Sequence, residues 1–185
     1  MKKGSFGYIS RMKIKSGTAS LALSAVAVLI YFTGLHFFPA NKTAVGILTV
    51  VICIPAAMTL VRFIMFMRFP AGSREVFDII EASRGEIPVF YDSIITTPEK
   101  SYGVNAFISS DGSLLGYTEY DRVDTAKLEK HLRDIFTANK YTTLNIKVFR
   151  DRDKFLERLA ALSARHKEKD SRDADILHLL GRISL

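Results

Sequence analysis

Two long apolar runs, separated by one short connector, fill the first third of the chain. No Lys, Arg, Asp or Glu occurs between Lys15 and Lys42, and a second run from Thr43 to Met67 is interrupted by charge only at Arg62. Neither run has polar residues at every third or fourth position, as an amphipathic core helix would. Because about 20 helical residues cross the hydrocarbon of a bilayer, the sequence predicts two transmembrane helices, at about 18–39 and 43–67.

The distribution of basic residues predicts the orientation of this hairpin. Five basic residues precede the first run, whereas the connector Pro39–Lys42 contributes only one. Arg62, Arg68 and Arg74 lie around the end of the second run. Since cytoplasmic segments beside membrane spans are enriched in Lys and Arg, both ends of the hairpin are expected in the cytoplasm. The first run is also too long for the apolar region of a cleaved signal peptide, and the plasma membrane of a prokaryote is the expected location.

The rest of the chain changes to shorter patterns that predict a small mixed domain. Segments 87–97, 101–109 and 113–120 are rich in β-branched and aromatic residues, as strands are, and Asp111-Gly112 predicts a hairpin turn. Apolar positions three and four apart predict the surrounding helices. The predicted elements are a helix over about 74–84, the three strands, a helix capped by Asp124, a strand over 144–149, and a helix capped by Asp151 or Asp153. This order, α-β-β-β-α-β-α, indicates an α+β or α/β domain behind an α-helical transmembrane hairpin.

These patterns divide the chain into four parts, namely a basic N-terminal segment at 1–17, the helical hairpin at 18–68, the α+β domain at 70–165, and a charged linker with an apolar tail at 166–185. The tail has two interpretations, because it can contact a partner or dock on its own domain. The residues predicted for a partner contact are Ile176, Leu177, Leu179, Leu180 and Ile183.

The charge of the chain is concentrated in its apolar part. The net charge is +7, but residues 1–73 hold 8 basic and no acidic residues, while residues 74–185 hold the other 18 basic and all 19 acidic ones. The predicted domain is therefore close to neutral, and a basic groove for nucleic acid is not favoured. The single cysteine, Cys53, excludes an internal disulfide and a Cys-rich zinc site.

The carboxylates of the predicted hairpin raise the question of catalysis. The order helix, three strands, helix, strand resembles the core of restriction-endonuclease-like nucleases. In that family an acid near the second strand and an acid-x-Lys on the third assemble a divalent-metal site, which the resemblance carries onto Asp111 and Glu119. Glu119 is followed by Tyr120 and Asp121, so the lysine is missing, and an Asp before Gly is expected in a turn for backbone reasons alone. Asp92, on the first strand, is a further candidate acid.

The sequence thus favours a membrane-anchored cytoplasmic interaction or scaffold module without catalytic activity. Its expected partners are the lipid bilayer and either another protein or a second copy of the chain. No cofactor, no bound metal and no small-molecule substrate is predicted. Two alternatives stay open: a membrane-tethered metal-dependent hydrolase using Asp111 and Glu119, and a small oligomeric transport subunit in which His36 and Cys53 would matter.

Overall fold

A computed structural model describes residues 3–164 and 171–185 of the chain. They belong to two units, a helical unit at Ile9–Pro70 and an α+β unit made of Met1–Tyr8 together with Ala71–Leu185. The expected coarse organisation, two long apolar helices followed by a small α+β domain, is confirmed. The charged stretch predicted as a helix end or linker covers 167–175; residues 167–170 lie outside the described residues, and 171–175 form the first turn of the helix at Ser171–Ile183.

The helical unit consists of α1, Tyr8–Phe37, a single 3-10 turn at Pro39–Asn41, and α2, Lys42–Met67. With 30 and 26 residues, both helices are long and apolar enough to cross a membrane. The first helix begins at Tyr8, ten residues before the predicted span at 18–39, and no proline interrupts the stretch between them. Pro55 is accommodated inside α2.

Small side chains are buried within the helical unit, and large apolar side chains are exposed on it. Ser20, Ala27 and Ala56 are each less than 9% exposed, whereas Leu21 is 74% and Phe32 66% exposed. Close packing of small residues with large apolar residues outside is typical of helices surrounded by lipid. Cys53 belongs to the exposed surface of α2, and the ring of His36 lies edge-on to that of its neighbour Phe37.

The α+β unit contains a four-stranded mixed sheet with helices on both faces. Its elements are α3 Arg74–Ser83, β1 Val89–Thr96, β2 Ser101–Ser110, β3 Ser113–Tyr117, α4 Thr125–Ala138, β4 Asn145–Phe149, α5 Arg152–Ser163 and α6 Ser171–Ile183. The strands lie in the order β1-β2-β3-β4, with the first three antiparallel and β4 parallel to β3. The order predicted from sequence is confirmed as far as α5, and α6 is an additional helix.

Two apolar cores lie on the two faces of the sheet. The first core packs the sheet against α4 and α6, and the second packs it against α3 and α5. The helices were predictable because their apolar residues recur on one face; α4, for example, buries Leu128, Leu132 and Phe136 completely. Asp124 caps α4 and Asp151 caps α5, each accepting backbone N–H groups of the first turn.

The alternation of side chains along β1 and β2 inverts in the middle of both strands. Phe90 and Ile95 are five positions apart, and a regular strand would point them to opposite faces, yet both pack in the first core. Val104 and Phe107, three positions apart, also share that core. In each strand the inversion lies between the two residues named, at the point where the pairing of β1 with β2 omits Asp92.

The apolar tail docks on its own domain, which is the second of its two interpretations. Ile176 and Leu180 are fully buried and Leu177 is 8% exposed in the first core, against which Leu179 and Ile183 also pack. These five residues were the predicted partner contacts, and the amphipathic period of α6 instead turns them to the sheet. Both ends of the unit also close the outer edge of β1, because Tyr91 N–H donates to Gly4 and Leu185 N–H donates to Ile94.

Candidate functional site

Polar side chains from three neighbouring strands meet in the α+β unit. This polar cluster consists of Asp92 on β1, Asn105 on β2, and Glu119 and Tyr120 directly after β3. Asp92 is 2% and Asn105 is 7% exposed. Buried polar groups of this kind are costly unless they are hydrogen bonded, so their partners indicate what the cluster does.

Asp92 occupies the irregular position of β1. Its φ of 47° lies in the left-handed region, which Asp tolerates better than most residues. Its Oδ2 accepts a hydrogen bond of 2.6 Å from the backbone N–H of Gly7. This bond ties the segment that precedes α1 in the chain to the first strand of the sheet.

Asn105 and Glu119 form a reciprocal pair. Asn105 Oδ1 accepts the backbone N–H of Glu119 at 2.8 Å, and Asn105 Nδ2 donates to Glu119 Oε2 at 3.0 Å. Both ends of the Asn105 amide are therefore used, which fixes its orientation and holds the chain after β3 against β2.

The carboxylate of Glu119 also contacts the segment that follows α2 in the chain. Glu119 Oε2 accepts the backbone N–H of Ser73 at 3.2 Å. Ser73 is the N-cap of α3 and forms no side-chain cap, and a negative charge at a helix N-terminus is favourable. The neighbouring Gly72 leaves no spare room, because a Cβ there would lie 3.0 Å from Asn105 Nδ2 and 3.1 Å from Asp92 Oδ1.

Tyr120 provides the remaining polar group of the cluster. Burial, together with the negative charges of Asp92 and Glu119, raises the pKa of the Tyr120 hydroxyl well above its ordinary value. The phenol therefore stays protonated at physiological pH. Its backbone is held by Thr118, whose hydroxyl oxygen accepts the Tyr120 N–H at 3.2 Å.

Of the three predicted acids, the structure gathers two and separates the third. Asp92 and Glu119 both lie beside Asn105, whereas Asp111 lies in the exposed turn beyond the opposite end of β3. Asp111 and Gly112 have φ values of 49° and 68°, the pair of left-handed residues that a type I′ hairpin turn requires. Asp111 and Glu119 are thus not brought together into one site.

The donor set of the cluster does not fit a divalent-metal site. Within residues 3–164 and 171–185, no three His, Cys, Asp or Glu side chains gather where they could hold a metal ion. The two carboxylates accept backbone N–H groups of Gly7 and Ser73, and the acid-x-Lys pattern lacks its lysine. No metal-dependent step follows from these residues.

Asn105 and Tyr120 are the members of the cluster that were not predicted from the sequence. Asn is depleted in strands, so an Asn in the middle of an otherwise apolar strand was the available signal. The pairing of Asn105 with Glu119 could not be identified from the sequence, because one of the two hydrogen bonds comes from the backbone N–H of Glu119. Comparison of the chain with protein-family models, with curated proteins and with solved structures gave no match.

Proposed function

We propose that the chain is a membrane-anchored cytoplasmic interaction module without catalytic activity of its own. The helices α1 and α2 insert as a hairpin with the short connector outside, and the α+β unit works at the cytoplasmic surface. Its partner is a membrane protein or a second copy of the chain. Anchoring confines both partners to a thin layer, which raises their effective concentration without any new contact.

The two long helices support the anchoring part of the proposal. Their exposed surface carries large apolar side chains such as Leu21, Phe32 and Ile47, which water would solvate poorly. The acid-free composition of residues 1–73 and the excess of basic residues outside the connector support the orientation.

The polar cluster carries the remainder of the proposal. Asp92 holds Gly7, immediately before α1, and Glu119 holds Ser73, which follows α2 by only a few residues. Phe6 adds a stacked contact with Phe77 at 4.3 Å between ring centroids. Both chain segments that flank the hairpin are thus bonded to the sheet. The two carboxylates, which were candidates for catalytic acids, hold these segments in place.

Site-specific labelling in intact cells tests the anchoring. In a Cys53→Ser background, a single cysteine is introduced at Asn41 in the connector or at Glu157 on α5, and a membrane-impermeant maleimide is added. We expect labelling of the Asn41→Cys chain in intact cells, labelling of the Glu157→Cys chain only after lysis, and retention of both in carbonate-washed membranes. Release by carbonate, or labelling of Glu157→Cys in intact cells, would contradict the proposal.

Thermal unfolding of the full chain with Mg²⁺ or Mn²⁺ tests the absence of metal-dependent chemistry. A ligand at a hundredfold excess over its dissociation constant stabilises the native state by about 2.7 kcal/mol. We expect no change in melting temperature. A metal-dependent rise that Glu119→Gln abolishes and Asp111→Asn preserves would instead assign the cluster to a hydrolase.

A further inference from the structure

A groove on the α+β unit has an apolar floor and a basic rim. Its volume is about 650 Å³, within the range of sites for small ligands. Val89, Phe90 and Leu177 provide large apolar surface, and Lys3, His178 and Arg182 provide polar groups. Among the described residues, no Asp or Glu lines the groove, so the groove complements a ligand with one anionic group and one apolar part.

The open space results from small residues on one face of α6. Ala174, Leu177, His178 and Gly181 recur at intervals of three and four, and line the groove together. A Cβ at Gly181 would already lie 3.3 Å from the Phe90 ring. Larger side chains at Ala174 and Gly181 would therefore fill the groove, and no room for a ligand would remain beside the basic side chains.

The opposite wall is the segment that leads into α1. Lys3, Gly4 and Ser5 form it, and Lys3 Nζ donates to the carbonyl of Ser184 at 2.8 Å, which fixes the cation at one end of the groove. Five positions separate Lys3 from Tyr8, the first residue of α1. Since an extended chain covers at most about 3.5 Å per residue, this wall lies within about 18 Å of the start of that helix.

We propose that this groove binds one anionic phospholipid, with the phosphate at Lys3 and Arg182 and the first part of an acyl chain over Phe90 and Leu177. The inference rests on the proposed membrane anchoring, which supplies the lipid. Each Lys or Arg near an anionic headgroup contributes binding free energy, and the apolar floor distinguishes a lipid from a free phosphate.

The test uses the full chain in dodecyl maltoside micelles, titrated with dioctanoyl phosphatidylglycerol and followed by native mass spectrometry. We expect one saturable lipid on the wild-type chain, about fivefold weaker binding to Arg182→Gln, and none to Ala174→Trp. Ala174 is exposed, so the tryptophan fills the groove without entering the core, and an unchanged urea midpoint verifies the fold. Arg158→Gln on α5 removes the same charge outside the groove and should bind as the wild type does.

Three outcomes would overturn the inference. Ala174→Trp and Arg182→Gln could bind like the wild type, Arg158→Gln could weaken binding equally, or inorganic phosphate alone could compete as well as the lipid. Dioctanoyl phosphatidylcholine, which carries no net charge, should not saturate. Lipid binding in micelles does not require a hairpin inserted in a cell membrane. The groove can therefore fail to bind lipid while the labelling experiment supports anchoring, and it can bind lipid while the labelling experiment contradicts anchoring.

Discussion

Asp92 Oδ2 lies 2.6 Å from the backbone nitrogen of Gly7, although 85 positions separate the two residues in the chain. Both have left-handed backbone conformations, with φ of 47° at Asp92 and 75° at Gly7. Asp92 is 2% exposed, and its hydrogen bond to Gly7 is partly buried. It joins the start of the chain to the point at which β1 inverts its side-chain alternation.

Asp92→Ala should destabilise the α+β unit by about 2–5 kcal/mol. Loss of the acceptor removes a hydrogen bond to a charged group, which costs about 1–3 kcal/mol, and alanine in a left-handed conformation costs about 1–2 kcal/mol. Asp92→Asn keeps an acceptor oxygen and tolerates the backbone, so it should cost less. Pulse proteolysis of the full chain in urea measures the difference.

Asp111 provides the matched control for this prediction. Its φ is 49°, nearly that of Asp92, but its side chain is exposed in the hairpin turn. Asp111→Ala should therefore cost only the backbone term, about 1–2 kcal/mol. Equal losses for the two alanine variants would show that the bond to Gly7 contributes nothing.

The sequence predicted the elements of the α+β unit well, because each carries a local signal. The turn was visible in Asp111-Gly112, and α4 was visible in its cap at Asp124 and the spacing of Leu128 and Leu132. These signals act over a few residues, where turn chemistry and amphipathic period decide the conformation. The helix α6 was predicted only as an apolar tail, because docking on the sheet depends on distant residues.

The polar cluster could be predicted only in part for a physical reason. Asp92 and Glu119 were candidates because they are acids near strands, but each accepts a backbone N–H group, from Gly7 and Ser73 respectively. Backbone N–H groups are present at every residue except proline, so composition does not identify which one a carboxylate binds. The inverted alternation at Asp92 and Asn105 was equally hidden, because a regular period of two was the best expectation.

Ser109 and Asp173 should be strongly coupled in the docking of α6. The Ser109 hydroxyl donates to Asp173 Oδ1 at 2.7 Å, with the two residues 0% and 3% exposed. Ser109→Ala removes a donor from a buried carboxylate and should cost about 1.5–3 kcal/mol. A double-mutant cycle with Asp173→Ala should give a coupling energy of about 1 kcal/mol or more. Additive losses would mean that the two side chains do not support each other.

Gly34 and Gly46 should respond differently to the same change. A Cβ at Gly34 would lie 2.6 Å from Cγ1 of Val45, whereas one at Gly46 has nothing within 4 Å. Val is stiff at χ1, so its side chain yields little. We expect Gly34→Ala to weaken the pairing of α1 with α2, while Gly46→Ala is neutral or stabilising, with helix propensity equal in both. Disulfide crosslinking between cysteines introduced into the two helices measures the pairing, and equal yields would contradict the prediction.

Tyr91 and Glu81 should make stability depend on pH at both ends of the range. The Tyr91 hydroxyl donates to Glu81 Oε1 at 2.7 Å, and Arg84 pairs with Oε2 at 2.8 Å. Burial alone would raise the pKa of Glu81, but these two partners hold it below its ordinary value of 4.5. Their contribution is therefore fully present above pH 4.5 and is lost as the pH falls through the lowered pKa.

The contribution of Tyr91 to stability depends on pH in the opposite direction. Burial, followed by the hydrogen bond to Glu81, raises the pKa of Tyr91 above its ordinary value of 10.0. The protonated phenol therefore stabilises the folded state fully below pH 10, and this contribution is lost as the pH rises further. Tyr91→Phe should cost about 1 kcal/mol at neutral pH and flatten both limbs of the pH profile.

Urea midpoints of the full chain, measured from acidic to alkaline pH, test this pair. Tyr141→Phe is the control, because Tyr141 packs against the first core on the other face of the sheet and should leave the acidic limb unchanged. Glu81 is 33% exposed at its side chain, so solvent screening limits its salt bridge with Arg84 to about 1 kcal/mol or less. The fall of the urea midpoint at acidic pH should accordingly be smaller in Tyr91→Phe than in the wild type, and smaller still when Arg84→Gln is added. An acidic limb as steep in the double variant as in the wild type would assign the acid sensitivity to other carboxylates.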